Sequence, residues 1–429
     1  MLLHVGIDDT DSEKGMCTTY VGAVTIDRLK KQGIELIDCP KLIRLNPLWK
    51  HKTRGNCAIS FTTDVSKNQI QKVKKIVLEG VEELAELNVK STTPGVTFYQ
   101  GERIPEKLRL FSKKVVQDVV TIEEAEKLAD EIGAEIHKFG IGRGIIGALA
   151  AIGHPLEDDW TFELIAHRVK ENWGTPRRVD EESVREMDEK TYPQTFDNLD
   201  PEAGEIHITP HTPCPILYGI RGETPEDVFE AQQIVKAEEP IERTILYKTN
   251  QGTDEHLKPA KIREAKPYHS IIIKGKVIKE PETITGGHVI FTIQDETGKA
   301  DCAAYEPTRQ FRDIVKQLEV EDIIKVYGGI KEKPELPLTI NLEKLEIIEL
   351  TSTKKKINPT CKKCGKRMKS AGKNKGYVCK KCKITLPEEA AEIIETPRKI
   401  KPGLHEVPTR ARRHLAKPLI RVKSAERKY

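Results

Sequence analysis

Long apolar runs are absent from this chain of 429 residues. The longest run of apolar residues and glycine, 145–153, is far shorter than the roughly 20 residues that a membrane-spanning helix needs. The N-terminus also lacks the basic start and the small-residue cleavage site of a signal peptide. These absences argue against a membrane or secreted protein, and we expect a cytoplasmic one.

Internal repeats are also absent, which excludes a solenoid or a propeller built from copies of one unit. A chain of this length exceeds what one hydrophobic core usually organises, so several domains are expected. Apolar residues make up 37% of the chain and charged residues 32%, a balance typical of a folded globular protein. Strand-like and helix-like segments alternate, which predicts a multidomain α+β protein.

Hydrophobic periodicity divides the chain into five parts. An α/β or α+β domain is predicted over 1–135, with strands at 2–7, 34–45 and 56–63 and helices at 18–32, 66–87 and 121–133. A ferredoxin-like domain follows over 136–265, with strands at 161–167 and 217–222. Over 266–350, five strands with a helix after the third give the order of an OB-fold barrel, and another small barrel is the alternative. A ribbon over 355–390 and a C-terminal arm over 391–429 complete the division.

A disulfide framework is lacking, although the chain has nine cysteines. Five are scattered singly, and the other four have the spacing C-x₂-C-x₁₄-C-x₂-C: Cys361, Cys364, Cys379 and Cys382. That spacing can bring four thiolates to one tetrahedral Zn²⁺ from two short turns. We therefore predict a closed, structural zinc ribbon, with four free thiols in a basic loop as the alternative.

The net charge of +4 hides a strong asymmetry. From Thr351 onward, 24 Lys and Arg stand against 6 Asp and Glu, whereas the first 350 residues have 47 against 61. A tail with a net charge of +18 suits a polyanion, and a merely solubilising tail is the alternative. Its last part is predicted to be an irregular or partly helical basic arm, with clusters at Arg410, Arg412, Arg413, Arg421, Lys423, Arg427 and Lys428.

Three carboxylates lie within four residues at the end of the first predicted strand: Asp8, Asp9 and Asp11. They repel one another unless a cation lies among them, and hard oxygen ligands suit Mg²⁺. The next helix is expected to start near Thr18, so its free N–H groups point to the same place. The pattern is typical of a phosphate site. The alternatives are a solvated Asp/Ser turn and, for Thr18, a plain helix cap.

A glycine-rich segment, Gly142-Arg143-Gly144-Ile145-Ile146-Gly147, matches G-x-G-x-x-G. Glycines there would let backbone amides approach a phosphate. A helical pattern rather than a clear strand precedes it, which disfavours a dinucleotide site. A turn that leads into an apolar helix fits better, and a role near a nucleotide stays open.

The barrel, the ribbon and the basic tail together favour a nucleic-acid partner. OB surfaces suit single strands and loops, whose unstacked bases can be contacted directly. The N-terminal part has a negative net charge, which disfavours binding of a polyanion to this part alone. We therefore expect the C-terminal part to bind the nucleic acid and the N-terminal part to perform the chemistry.

Several motifs in order resemble the archaeal tRNA(Ile) 2-agmatinylcytidine synthetase family. They are Gly6-Ile7-Asp8-Asp9-Thr10-Asp11-Ser12, Gly15-Met16-Cys17-Thr18-Thr19, Arg44-Leu45-Asn46-Pro47, Lys52-Thr53-Arg54-Gly55-Asn56 and 142–149. The resemblance covers essentially the whole chain and implies the domain set of that family: a kinase-like catalytic domain over 1–135, a ferredoxin-like domain, an OB-fold and a zinc ribbon.

The resemblance implies an ATP-dependent ligase that joins agmatine to carbon 2 of the wobble cytidine of the tRNA(Ile) with a CAU anticodon, so that this anticodon reads AUA. It also implies autophosphorylation of Thr18 and Mg²⁺ on the triphosphate, held by Asp8, Asp9 and Asp11. Lys52, Arg54, Gly142, Arg143 and Gly144 become candidates for binding ATP or phosphate. Agmatine is a dication, and Asp197, Asp200 and Glu223 are available to it without a means of choosing among them.

Two other functions stay open from the residues alone. One is a non-catalytic tRNA-binding module in which the acidic segment is only a turn. The other is a different ATP-dependent ligase acting on RNA, although the K-x-D-G motif of lysine-adenylating ligases is lacking.

Overall fold

The computed structural model describes residues 1–332, 337–372 and 375–426. The first part has strands β1 (Leu2–Asp8), β2 (Lys41–Arg44), β3 (Cys57–Asp64), β4 (Gly95–Gln100) and β5 (Glu135–Lys138). Its helices are α1 (Thr18–Lys31), α2 (Lys67–Leu84), α3 (Glu106–Gln117), α4 (Ile122–Ile132) and α5 (Ile145–Gly153). Helices α1 and α2 share one buried cluster on one face of the sheet, and α3, α4 and α5 pack on the other.

Most expected elements of this part are present, and one is shortened. The strand predicted over 34–45 keeps only β2, and Leu36 makes an isolated bridge to Thr63. The predicted helices correspond to α1, α2 and α4, whereas β4, α3 and β5 had no prediction. Helix α2 illustrates the local cause, because Ile70, Val73, Val77 and Val81 fall on one face and are buried.

The second part is the ferredoxin-like unit that the sequence predicts. Its strands are β6 (Thr161–Arg168), β7 (Thr195–Phe196), β8 (Leu199–Asp200), β9 (Glu205–Ile206), β10 (Ile216–Gly222) and β11 (Ile241–Thr249), with helices α6 (Glu181–Thr191) and α7 (Pro225–Ile234). The main strands lie in the order β11-β6-β10-β7 and are all antiparallel. Thr224 caps α7 through the Asp227 N–H, and Pro225 takes its first position.

The first four strands have the same spatial order as the ferredoxin-like unit, β4-β1-β3-β2. The two units join edge to edge, because β2 and β11 pair in parallel through Lys41 with Lys248 and Leu42 with Thr249. One nine-stranded sheet, β5-β4-β1-β3-β2-β11-β6-β10-β7, therefore runs through both units.

The third part is the predicted OB-fold barrel. Its elements are β12 (Leu257–Pro259), β13 (Ser270–Thr283), β14 (Val289–Gln294), β15 (Lys299–Ala304), α8 (Gln310–Val315), β16 (Ile323–Ile330) and β17 (Thr339–Glu349). Strand β15 pairs with β17 in parallel, and β16 pairs with both β17 and β13, which closes the barrel. The helix lies after the third barrel strand, as the sequence predicts.

The C-terminal part contains strands β18 (Thr353–Ile357), β19 (Lys369–Ser370), β20 (Tyr377–Val378), β21 (Thr385–Leu386), β22 (Glu392–Thr396) and β23 (Gly403–Glu406), and helix α9 (Leu419–Glu426). From Pro397 onward, where an irregular or partly helical arm is predicted, the chain contains helix α9 and one strand that was not predicted, β23, which extends the barrel sheet beside β17. Arg427 and Lys428 lie outside the described residues. In the described part of the chain, no helix is both long and apolar enough to cross a membrane.

Candidate active site

The acidic segment lies where β1 ends beneath α5. A Cβ atom placed on Gly147 would lie 1.9 Å from Asp8 Oδ2, and one on Gly144 would lie 2.5 Å from the Asp8 carbonyl oxygen. Glycine at both positions therefore lets α5 approach the end of β1 closely. Asp9 follows with φ of 58°, a left-handed conformation that turns the chain sharply after the strand.

Burial makes the charged forms of Asp8 and Asp9 costly. Desolvation, together with the neighbouring Asp9 carboxylate, holds the pKa of Asp8 well above its usual range. Desolvation also raises the pKa of Asp9 to about 6, although Arg143 and Thr93 oppose the shift. A cation beside these oxygens would favour their ionised forms, so the pair has the electrostatics of a metal or phosphate site.

Asp11 has different partners. Its Oδ1 accepts hydrogen bonds from the Thr18 N–H at 2.7 Å and from the Thr18 hydroxyl at 3.2 Å, and its Oδ2 lies 3.0 Å from Arg54 Nη2. The alternative of a plain helix cap at Thr18 does not hold, because Cys17 takes the N-cap position and Asp11 satisfies the first N–H of α1. Thr18 is 1% exposed, and its oxygen also accepts a hydrogen bond from Thr10.

The glycine-rich segment brings Arg143 to the acidic segment. Arg143 Nη2 donates to Asp9 Oδ2 at 2.9 Å, and the Thr93 hydroxyl donates to the same oxygen at 2.5 Å. Gly142 has φ of 66°, where its lack of a side chain is required, and Gly144 precedes the first turn of α5. This segment thus supplies a cation and a close backbone approach.

A single cleft adjoins these groups and contains residues that sequence reasoning missed. Asp8, Asp9 and Arg143 line one part, which we call the carboxylate wall. Trp49, His51 and Asp118 line another part, which we call the aromatic wall. These side chains come from segments far apart in the sequence, so no local motif could have indicated them.

Lys52 lines the same cleft, and its Nζ donates to the Arg54 carbonyl oxygen at 2.9 Å. Burial, together with the nearby Arg413 and Lys331, lowers the pKa of Lys52. Arg54 is more buried and donates to the carbonyl oxygens of Ser12 and Met16. Arg54 therefore holds the acidic loop itself, while Lys52 remains beside the open cleft.

The three carboxylates considered for agmatine are already paired with arginines of the C-terminal arm. Asp200 lies 2.7 Å from Arg410, and Glu223 lies 2.6 Å from Arg421. Asp197 pairs with Arg412. The arm thus directs these cations inward, onto the acidic ferredoxin-like unit.

The four cysteines of the ribbon come together as expected. Their sulfur atoms all lie within 4.8 Å of one another, and no other such group of potential ligands occurs among the described residues. Gly365 and Lys383 have φ of 69° and 58° in the turns after the two cysteine pairs. Two similar turns therefore face each other with four thiol groups between them, as a tetrahedral metal site requires.

Four domain models match the chain in the expected order. They are the TiaS TCKD domain over 4–76, the TiaS FLD domain over 142–256, an OB-fold nucleic acid binding domain over 271–348 and the TiaS C-terminal zinc ribbon domain over 358–400. The chain is also similar to the tRNA(Ile) 2-agmatinylcytidine synthetases TiaS of Methanocaldococcus jannaschii and Pyrococcus horikoshii. The identities are 45% and 47%, over 98% and 100% of this chain and 98% and 99% of the relatives.

Two solved structures agree with this chain over nearly their full length. A crystal structure of TiaS in complex with tRNA(Ile) and ATP matches with a TM-score of 0.89 at 43% identity, over 98% of this chain and 97% of that one. A complex of TiaS with tRNA(Ile), AMPCPP and agmatine matches with a TM-score of 0.86 at 40% identity and the same coverage. With the fold, the domain order and the sequence identity over nearly the whole chain in agreement, the chain belongs to the tRNA(Ile) 2-agmatinylcytidine synthetase (TiaS) family.

Proposed function

We propose that this protein is an ATP-dependent tRNA-modifying ligase that joins agmatine to carbon 2 of the wobble cytidine of the tRNA(Ile) with a CAU anticodon. The observation that carries the proposal is the cleft lined by Asp8, Asp9 and Arg143, together with Asp11 of the same acidic segment, which holds Thr18 at the start of α1. The full-length similarity to synthetases of this activity supports it. The product, 2-agmatinylcytidine, lets the CAU anticodon read AUA.

The chemistry explains why such a site is needed. Carbon 2 of cytosine is urea-like, and its oxygen is a poor leaving group. Phosphorylation of that oxygen at the expense of ATP converts it into a good one, which the primary amine of agmatine then displaces. Groups that stabilise the charge of a moving phosphoryl group supply most of the catalysis in such reactions.

Asp8 and Asp9 are the residues that would hold Mg²⁺. Their desolvated oxygens favour a cation, and both carboxylates line the cleft. Mg²⁺ commonly takes one or two carboxylates together with phosphate oxygens and would neutralise charge on the triphosphate. Both oxygens of Asp11 already have protein partners, so two carboxylates rather than three fit the ion.

Thr18 is the residue that would receive a phosphoryl group. Asp11 accepts the Thr18 hydroxyl proton in a hydrogen bond, which suits it to orient the oxygen and to take its proton. The N-terminus of α1 lies at the same place, and the helix dipole favours added negative charge there. Arg143, Gly142 and Gly144 would stabilise phosphate on the α5 side and Lys52 on the other. Arg54, the remaining candidate, would act through the acidic loop that it holds.

The C-terminal half would bind the tRNA. The OB barrel offers a surface of the kind that contacts unpaired nucleotides, and Zn²⁺ on the four cysteines would hold the ribbon together. We retain the five-part division of the chain and a cytoplasmic location as part of this proposal.

Mass spectrometry of the wobble nucleoside after incubation of this tRNA(Ile) with the protein, ATP, Mg²⁺ and agmatine tests the activity. We expect cytidine to be converted to 2-agmatinylcytidine, and omission of ATP or agmatine to abolish conversion. Unmodified cytidine under conditions in which the tRNA demonstrably binds would instead support a non-catalytic binding module.

A further inference from the structure

We propose that the aromatic wall of the cleft is the receptor for the wobble cytosine, with Trp49 stacking on the base and Asp118 accepting a hydrogen bond from its exocyclic N4 amine. This inference rests on the proposed function and names the residues that would recognise its nucleic-acid substrate.

The position of the cleft favours the base that is modified. An acceptor oxygen must come within about 3–3.5 Å of the phosphorus atom it attacks. The aromatic wall shares one cavity with the carboxylate wall, where the triphosphate would end. The adenine of ATP is separated from its terminal phosphate by the ribose and two further phosphates. A base in contact with both walls therefore fits the acceptor and not the adenine.

Trp49 is held in place on the side of the barrel. The Leu48 N–H donates to Asn46 Oδ1 at 2.9 Å, and Asn46 Nδ2 donates to the Tyr268 carbonyl oxygen at 3.0 Å. The Trp49 and Tyr268 rings meet at 74° with centroids 5.4 Å apart. The segment that leads into the OB barrel thus fixes the turn before Trp49, so a tRNA loop on the barrel could present its base there. Stacking on aromatic rings is the usual way to hold an unstacked base.

One carboxylate oxygen of Asp118, Oδ2, can accept a further hydrogen bond. It ends α3, and its Oδ1 accepts from the Val119 N–H at 2.8 Å and lies 3.3 Å from His269 Nε2. Among the described residues, the cation closest to Oδ2 is the Lys258 Nζ atom, at 3.9 Å, which exceeds hydrogen-bond length. The side chain is 39% exposed. A fixed carboxylate with a free oxygen accepts a hydrogen bond from a cytosine amine and offers nothing to the uracil carbonyl at the same position.

Two forms of the tRNA(Ile) substrate test the role of Asp118, one with cytidine and one with N4,N4-dimethylcytidine at the wobble position. We expect the wild-type protein to lose about tenfold to hundredfold in kcat/KM on the dimethylated tRNA. Asp118→Asn should lose a similar factor on ordinary cytidine and then discriminate little between the two. Asp130→Asn, at an exposed position of α4, is the matched control and should behave as wild type.

Equal use of both tRNAs by the wild-type protein would overturn the assignment of Asp118, even if Asp118→Asn folds poorly. So would an Asp118→Asn variant that still discriminates as the wild type does. If the wild type fails to modify even the ordinary tRNA(Ile), the proposed activity itself is wrong, which is a different result.

Variants of Trp49 distinguish binding of the wobble base at the aromatic wall from binding of ATP there. Trp49→Leu should raise the KM for tRNA at least tenfold and leave the KM for ATP within twofold, and Trp49→Phe should restore most of the affinity for tRNA. A rise in the KM for ATP instead would show that the aromatic wall holds adenine and would overturn the proposal.

Discussion

One oxygen of Asp11 accepts hydrogen bonds from both the backbone N–H and the side-chain hydroxyl of Thr18. The same carboxylate pairs with Arg54 through its other oxygen. Asp11 therefore fixes the start of α1, the Thr18 hydroxyl and the loop arginine at once. The three acidic residues thus have two different environments. Asp8 and Asp9 line the cleft, whereas Asp11 binds Thr18 and Arg54 behind it.

Incubation with ATP labelled at the γ-phosphate should place phosphate on Thr18. Thr18→Ala should abolish the label, and Thr18→Ser should retain it, because the hydroxyl that Asp11 orients is kept. Peptide mapping by mass spectrometry checks the site. Thr19→Ala, which removes the neighbouring buried hydroxyl, is the matched control. Undiminished label in Thr18→Ala would show that another residue is phosphorylated.

The Mg²⁺ requirement should distinguish the two environments of the carboxylates. Asp8→Asn should raise the Mg²⁺ concentration for half-maximal Thr18 labelling several-fold, since it removes a ligand charge. Asp11→Asn should slow labelling about tenfold or more at saturating Mg²⁺ and leave the half-maximal concentration within twofold. If both variants raised the half-maximal Mg²⁺ concentration equally, Asp11 would be a Mg²⁺ ligand as well.

Asp11→Asn should also lower stability, because Arg54 is only 17% exposed and would lose its charge partner. We expect a cost of about 1–3 kcal/mol, measurable as a lower melting temperature of the nine-stranded sheet. An unchanged transition would show that the loop carbonyls alone satisfy Arg54.

The purified protein should release one Zn²⁺ per chain when its thiols are modified, as measured with a colorimetric chelator. Cys364→Ser should lose the ion and weaken tRNA binding without lowering the melting temperature of the nine-stranded sheet, since the ribbon has its own core. Cys39→Ser, which changes a cysteine far from the ribbon in sequence, should retain the ion. A full equivalent of zinc in Cys364→Ser would contradict the four-cysteine site.

The contact between Asp200 and Arg410 should make the docking of the arm sensitive to acid. Burial alone would raise the pKa of Asp200, but hydrogen bonds from Arg410 and from the Ala203 N–H outweigh it and lower the pKa to about 2. Because an unfolded Asp titrates near 3.9, the stabilisation is complete above about pH 4 and is lost as pH falls through 2.

Arg410→Gln should therefore lower the free energy of unfolding at pH 6, and the difference from wild type should shrink as the pH falls toward 3. Unfolding by urea at several pH values measures it. Arg185→Gln, at a half-buried arginine of the ferredoxin-like unit that does not contact Asp200, is the control. A difference that is constant with pH would assign the effect to packing of the arginine stem.

Local patterns allowed much of the fold and part of the site to be predicted. The cysteines of the ribbon are separated by two residues within each pair, so spacing alone brings their sulfurs together. The OB barrel was predicted because alternation along its strands reports one buried face. The acidic segment could be recognised because its three carboxylates lie within four residues of the chain.

The missing parts depend on contacts between distant residues. Arg143 meets Asp9 across 134 positions of sequence, and Arg410 meets Asp200 across 210. Charge counting identifies a basic arm but does not show that acidic residues of another unit neutralise it. Trp49 and Asp118 share a cleft only after α3 has packed on the sheet, so their juxtaposition is a property of the fold alone.

The pairing of β2 with β11 has a consequence for how the enzyme can move and how it could have been assembled. Separating the two ferredoxin-like halves would strip hydrogen bonds from the middle of a sheet and leave two raw edges that are prone to aggregation. The two halves therefore move as one rigid body. We expect neither half to fold by itself, and no hinge to lie between them. Motion that admits and releases a tRNA must then come from the domains attached to this nine-stranded sheet. The barrel and the ribbon are therefore the places to introduce distance probes.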